Sequence, residues 1–205
     1  MGELIDAAQE FRQARQAVTL AQASRDLLRT ILPLRLERGA SLVLVGEAPA
    51  DAAVLAAVAK NRQAVTMSFK TVEVRLDELD VPAVAATLDR LNVARTTMDD
   101  LRPRIDAALR LSKAQRDATL LPAVRKAFQD LLDALTATVD AVDTAIPRSD
   151  AVLQRYLILK RSAWATRVAI GNAALRIQTS LAAGTGWPLA ETVAAVEDRA
   201  RVQSA

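Results

Sequence analysis

The residues with the most chemical potential in this chain are arginines set into apolar rows. Arg25 and Arg35 in the first helical stretch, Arg62 in the second and Arg95 in the third each take a place that the heptad pattern gives to an aliphatic side chain. A guanidinium is always charged and presents a planar fork of donors that matches a carboxylate or phosphate. With the first two turns centred near residues 48 and 80, Arg62 lies opposite residue 34, beside Arg35, and opposite residue 98, within a turn of Arg95. Like charges at one level of a bundle repel unless an anion joins them. Glu37 or Asp99 can supply it, with the arginine stems snorkelling outward. A bound carboxylate or phosphate can supply it too. Such a ligand would bridge Arg35 and Arg62 with Arg95 or Arg25, and would shift the first helix by roughly an ångström or two.

Other chemistry is largely absent. The 205 residues contain no His and no Cys. That removes an imidazole base, Ser-His-Asp and Cys-His nucleophiles, Cys-based zinc sites and disulfides. Asp26, Asp130, Asp133 and Asp140 are the obvious carboxylates for a metal. Carboxylate centres in helical bundles, however, draw on Glu-x-x-His pairs that this chain cannot form. No enzyme and no cofactor are expected. Trp164 precedes Arg167 by one turn, with Tyr156 two turns earlier, so the Trp either packs as a bundle filler or holds the Arg by a cation–π contact. Gly184-Thr185-Gly186 reads as a helix stop rather than a phosphate loop.

The charges support the same view. Net charge is +3, with 27 Lys and Arg against 24 Asp and Glu, mostly alternating in sign as on solvated helix faces. Leu101 to Lys126 holds seven cations and two acids, while Glu73 to Asp100 holds seven acids and three Arg, so the two stretches can neutralise each other. Neither interleaves aromatic residues as a nucleic-acid surface would, and no nucleic-acid partner is expected. The longest uncharged run, Ile177 to Ala190, has 14 residues broken by Gly and Pro, short of the roughly 20 needed to span a bilayer. Glu3 and Asp6 stand where a secretory leader would be basic.

Helical periodicity organises everything else. Half the residues (51%) are apolar and only 3% aromatic, with long stretches free of Gly and Pro. The first helix runs to about Val45. Leu4, Phe11, Val18, Arg25, Leu32 and Gly39 recur at steps of seven, and Ala7, Ala14, Ala21, Leu28, Arg35 and Leu42 form a companion row. Pro33 should kink this helix, and Gly46-Glu47-Ala48-Pro49 ends it. Further helices are expected over Asp51–Leu79 (Val58, Val65, Phe69, Val72), Pro82–Leu111 (Val84, Leu91, Met98, Ile105, bent at Pro103) and Asp117–Ala145 (Val124, Phe128, Leu131, Leu135, Val139, Val142). A turn at Ile146–Asp150, capped by Ser149 or Asp150, leads to Ala151–Ala183 and then to a last helix from Pro188, still amphipathic where the chain stops. The fold expected is all-α: an elongated antiparallel bundle of about six helices forming one domain over residues 1–205, with two stacked four-helix bundles as its other form.

Two segments carry a family resemblance. Leu36-Glu37-Arg38-Gly39-Ala40-Ser41, late in a long first helix and followed by Arg62, is one; Leu159-Lys160-Arg161-Ser162-Ala163-Trp164-Ala165-Thr166-Arg167, then Gly171, is the other. Together they resemble the all-helical extracytoplasmic sensor domains of bacterial methyl-accepting chemotaxis proteins and related sensor kinases, of alphaproteobacterial type. The resemblance implies a periplasmic, dimeric signal-transducing module held by flanking membrane helices that this chain lacks. It would respond to a small molecule or to a periplasmic binding protein. Glu37, Arg38, Gly39, Arg62, Trp164, Arg167 and Gly171 are the family-like positions. The alternative class is a coiled-coil scaffold without a small ligand.

Overall fold

A computed structural model describes residues 2–46, 52–77, 81–146 and 151–204. The expected breaks at Glu47–Pro49, Leu79–Asp80 and Pro147–Asp150, including the Ser149 or Asp150 cap, lie outside the described residues. The protein is an all-α helical bundle; the described residues form six α-helices and no strand. They are α1 (Gly2–Gly46), α2 (Ala52–Asp77), α3 (Pro82–Ala108), α4 (Leu120–Ala145), α5 (Ala151–Ala183) and α6 (Leu189–Ser204). Pro33 and Pro103 both lie inside uninterrupted helices. Pro82 opens α3 from its first turn, where its missing N–H costs nothing. The third helix ends three residues earlier than the periodicity suggests, and a 3₁₀ turn at Lys113–Gln115 leads into α4.

Contacts divide the chain into two compact units, Met1–Pro147 and Arg148–Ala205. The first is an antiparallel four-helix arrangement in which α1 packs on α2 and α4, and α4 packs on α3. Its core is built from the apolar rows of α2, α3 and α4 that the periodicity marks, from Val58, Val65, Phe69 and Val72 through Val84, Leu91, Met98 and Ile105 to Phe128, Leu131 and Leu135.

Helix α1 departs from its expected packing. The row of Phe11, Val18, Arg25 and Leu32 faces outward, with Phe11 70% exposed. The core instead receives a second heptad row, Leu20, Leu27, Leu34 and Ser41, flanked by Ala23, Ile31 and Leu44. Both rows have seven-residue spacing, so periodicity could not choose between them. The positions of α2 and α4 do.

The second unit is the hairpin of α5 and α6. The α5 helix stops as its sequence predicts. Gly184 takes φ +62°, the left-handed conformation that a Cβ disfavours, while Thr185 N–H donates to Ser180 O and Gly184 N–H to Leu181 O.

Candidate functional site: an ion-pair cleft between α2 and α3

Helices α2 and α3 are not closely packed against each other, in contrast to α1 with α2 and α3 with α4. Long polar side chains span the gap instead. At its centre is Glu37 of α1, wholly buried. Its Oε1 accepts from Arg62 Nε of α2 at 3.1 Å and from Arg102 Nε of α3 at 2.9 Å, and its Oε2 accepts from Arg102 Nη2 at 2.7 Å. Outside this clasp, Arg62 Nη1 donates to Asp106 at 2.8 Å and Arg102 Nη1 to Asp99 at 2.6 Å. Burial pulls the Arg102 pKa down, but hydrogen bonds and charge from Glu37 and Asp99 outweigh it and hold it above its usual value. One donor is left over. Arg62 Nη2 is buried with no hydrogen-bond partner among the described residues.

One and two turns along, Arg95 pairs with Glu73 across the same gap, lies 3.7 Å from Asp99, and stacks its guanidinium 5.0 Å from the centre of the Phe69 ring. Val65, Thr66, Phe69, Arg95, Met98, Asp99, Arg102 and Leu131 enclose a cavity of about 40 Å³ there. That is room for a few water-sized atoms.

The sequence arithmetic brings Arg62 to within about a turn of its α1 partner and places its other neighbours only in part. Arg62 faces Glu37, about one turn from the residue 34 expected. Across α3 the offset is larger: Arg62 with Asp106 and Arg95 with Glu73 are both symmetric about residue 84, not 80. The partner of Arg62 in the layer is thus Arg102, which shares its heptad row with Arg95. Arg95 lies further along the cleft. Arg25 is exposed and pairs with the adjacent Asp26 at another level, and Arg35 is half-buried on α1. Glu37 and Asp99 both serve as the internal anions.

The remaining family-like positions are scattered. Arg38 reaches Gln129 of α4 at 3.2 Å, and burial together with the charge of Arg125 lowers its pKa against the opposing pull of Asp133. A Cβ on Gly39 would meet nothing within 4 Å, so packing does not demand glycine there. Trp164 and Gly171 are half-buried on α5 and Arg167 is exposed.

Arg75 and Arg116 escaped the sequence reading, as did the role of Asp26 as an ion-pair partner. Buried Asp26 accepts from Arg75 Nε at 2.6 Å and from Arg25 Nε at 3.0 Å, while Arg75 also donates to Gln22. Burial alone would raise the Asp26 pKa, but Arg25 and Arg75 together hold it below 3.8. Arg116, in the loop before α4, joins two helix ends. It donates to Leu44 O at 2.7 Å and Val45 O at 3.4 Å of α1, and to Ala108 O and Leu111 O at 3.2 and 3.3 Å at the end of α3. The last carbonyls of a helix lie beyond the reach of its own N–H groups, Ala108 O also accepts from Leu111 N–H at 3.0 Å, and a cation there meets the negative end of each helix dipole. Nothing in the local sequence around Arg116 signals this role.

Among the described residues no group of three carboxylates is placed to hold a metal, and no helix is long and apolar enough to cross a membrane. No family model, curated protein or solved structure matches the chain.

Proposed function

We propose that this chain is the ligand-sensing part of a bacterial signal-transducing receptor, acting outside the cytoplasm without enzymatic chemistry, and that a small anion binds in the α2–α3 cleft. The observation that carries this reading is the cleft itself: two helices whose backbones stand apart and are bridged by ion pairs, with one buried donor of Arg62 unused. The internal anions are not equivalent. Glu37 is sealed, whereas Asp99 and Asp106 are half-exposed. A ligand carboxylate or phosphate would displace these outer carboxylates from Arg62 and Arg102 and leave Glu37 in place. Because Glu37 belongs to α1, any change in how Arg62 and Arg102 hold it is felt by α1. The resemblance to chemoreceptor sensor domains adds the periplasmic setting and a homodimer to this reading.

The test is a thermal-shift screen against organic acids, amino acids and phosphate. A ligand that binds only the folded state adds about 2.7 kcal/mol at one hundred times its Kd. The response should be confined to one anionic class, disappear in Arg62→Ala with the bundle still helical by circular dichroism, and strengthen in Asp106→Asn, which removes a competing carboxylate. A flat screen sinks the proposal. A scaffold without a small ligand is then favoured by a different observation, the outward row of Phe11, Val18, Leu32, Leu36 and Val43 on α1, all of them exposed. Such a chain would show melting that depends on its own concentration.

A further inference from the structure

Helix α5 carries an apolar stripe that its hairpin partner does not use. Tyr156, Leu159, Ala163, Ile170, Ile177 and Leu181 are spaced by three, four or seven residues and so share one side of the helix. Leu159, Ile170 and Leu181 are 69%, 63% and 77% exposed. The residues that meet α6, Asn172 and Arg176, point to another side, where they reach Asp198.

The charge around the stripe restricts what can cover it. In its 33 residues α5 has five cations, Arg155, Lys160, Arg161, Arg167 and Arg176, and no acid. Arg155 borders one edge of the stripe and Arg167 the other, and both are exposed. A second α5 laid along it, parallel or antiparallel, would set these cations against cations. Within this unit α6 docks on α5 and brings carboxylates to Arg176 through Asp198 and Glu191. The stripe is also narrow, in the manner of a helix–helix seam, whereas a helix lying in a membrane surface presents a broad apolar face.

We propose that this stripe docks an acidic amphipathic helix of another protein, with aliphatic residues at heptad spacing and Asp or Glu in the flanking positions. The docking face is independent of the α2–α3 cleft. The apolar seam supplies affinity, and Arg155 and Arg167 supply orientation and selectivity.

The experiment uses the full chain and two fluorescent helical peptides of equal length with one Leu/Ala seam, the first flanked by Glu and the second by Lys. Anisotropy should show binding of the Glu-flanked peptide alone, weakening as salt screens the flanks. The double variant Arg155→Glu/Arg167→Glu should lose about tenfold in affinity for it and gain affinity for the Lys-flanked peptide. Ile170→Asp should abolish binding with helix content unchanged, and Leu159→Asp repeats that test on a second exposed side chain. Equal binding of both peptides, or of neither, overturns the proposal. So does binding confined to phosphatidylglycerol vesicles, which assigns the stripe to a lipid surface. A dimer by sedimentation that Ile170→Asp converts to monomer also overturns it, since a second copy then covers the stripe.

Discussion

Both units of the chain contain a buried carboxylate clasped by arginine, and they differ in what surrounds the clasp. In the first unit Glu37 gathers Arg62 and Arg102 from two other helices, 25 and 65 residues away, inside a four-helix core. In the second, Asp198 is held by Arg176 from the adjacent helix at 2.5 Å, and the apolar side chains buried among the described residues are those of Leu157 and Ala169. The first unit has 20 acids and 19 cations, the second 4 acids and 8 cations. A similar polar motif thus sits in a neutralised, closed core in one place and in a basic, apolar-faced hairpin in the other. Four helices can turn their apolar rows toward one another, but a hairpin buries only the faces along its single contact and leaves the rest of each helix to solvent or a partner.

The comparison breaks most decisively at Glu37. Glu37→Ala leaves two largely buried guanidiniums without their shared anion, and should lower the stability of the first unit by about 3 kcal/mol in urea unfolding. If the loss is no larger than for an exposed pair, the cleft is not held by this clasp. Arg116→Ala should cost about 2 kcal/mol by the same measurement, because a charged donor to two helix ends disappears. In the second unit α5 closes instead through the backbone turn at Gly184 and Thr185. Asp198→Asn should cost about 1 kcal/mol, and hydrogen exchange should show the faster amides confined to α5 and α6. Spread of that change into α1–α4 would mean the two units do not open independently.

A smaller effect is a matter of pH. Asp26 has a folded pKa held below its ordinary 3.8, so its contribution is complete well above that value and is lost as pH falls through the lower folded value. Asp26→Asn should therefore flatten the acid side of the stability profile below about pH 4, while removing a constant amount at neutral pH. Acid unfolding midpoints that coincide for the two proteins would show that Asp26 is not held by Arg25 and Arg75 in solution. The smallest effect expected is at Val93, exposed on α3, where Val93→Ala should stay within about 0.5 kcal/mol of the parent.

Much of the fold was legible before any coordinates. The rows that the spacing marks on α2, α3 and α4 are the ones found buried, with Met67, Val74 and Val93 as exposed apolar exceptions. Helix α1 was not legible in the same way, because heptads run along two of its faces, and the row with the larger side chains, Phe11 and Leu32, is the one left outside. In the cleft, Arg62 could be found because a charge intrudes where the pattern wants an aliphatic side chain, and Glu37 because the arginine layer needs an anion at its level. Arg102 intrudes just as plainly in the row of Arg95. The turn position near residue 80 puts it outside the layer, whereas the observed pairs are centred four residues further on. Arg116 lies in a loop with no periodicity to violate, so nothing marked it.

By itself, the sequence determined the six helices, the glycine stop after α5, the absence of histidine and thiol chemistry, and the apolar rows of the inner helices. These follow from propensity, side-chain period and residue type, all of which act over a few neighbouring residues. Only the tertiary structure decided which face of α1 is buried, which arginines share Glu37, that α2 and α3 meet through ion pairs, and that Arg116 closes two helix ends. Each of those depends on axial offsets between helices, and side chains 25 to 72 residues apart meet or miss one another when a helix slides by a single turn.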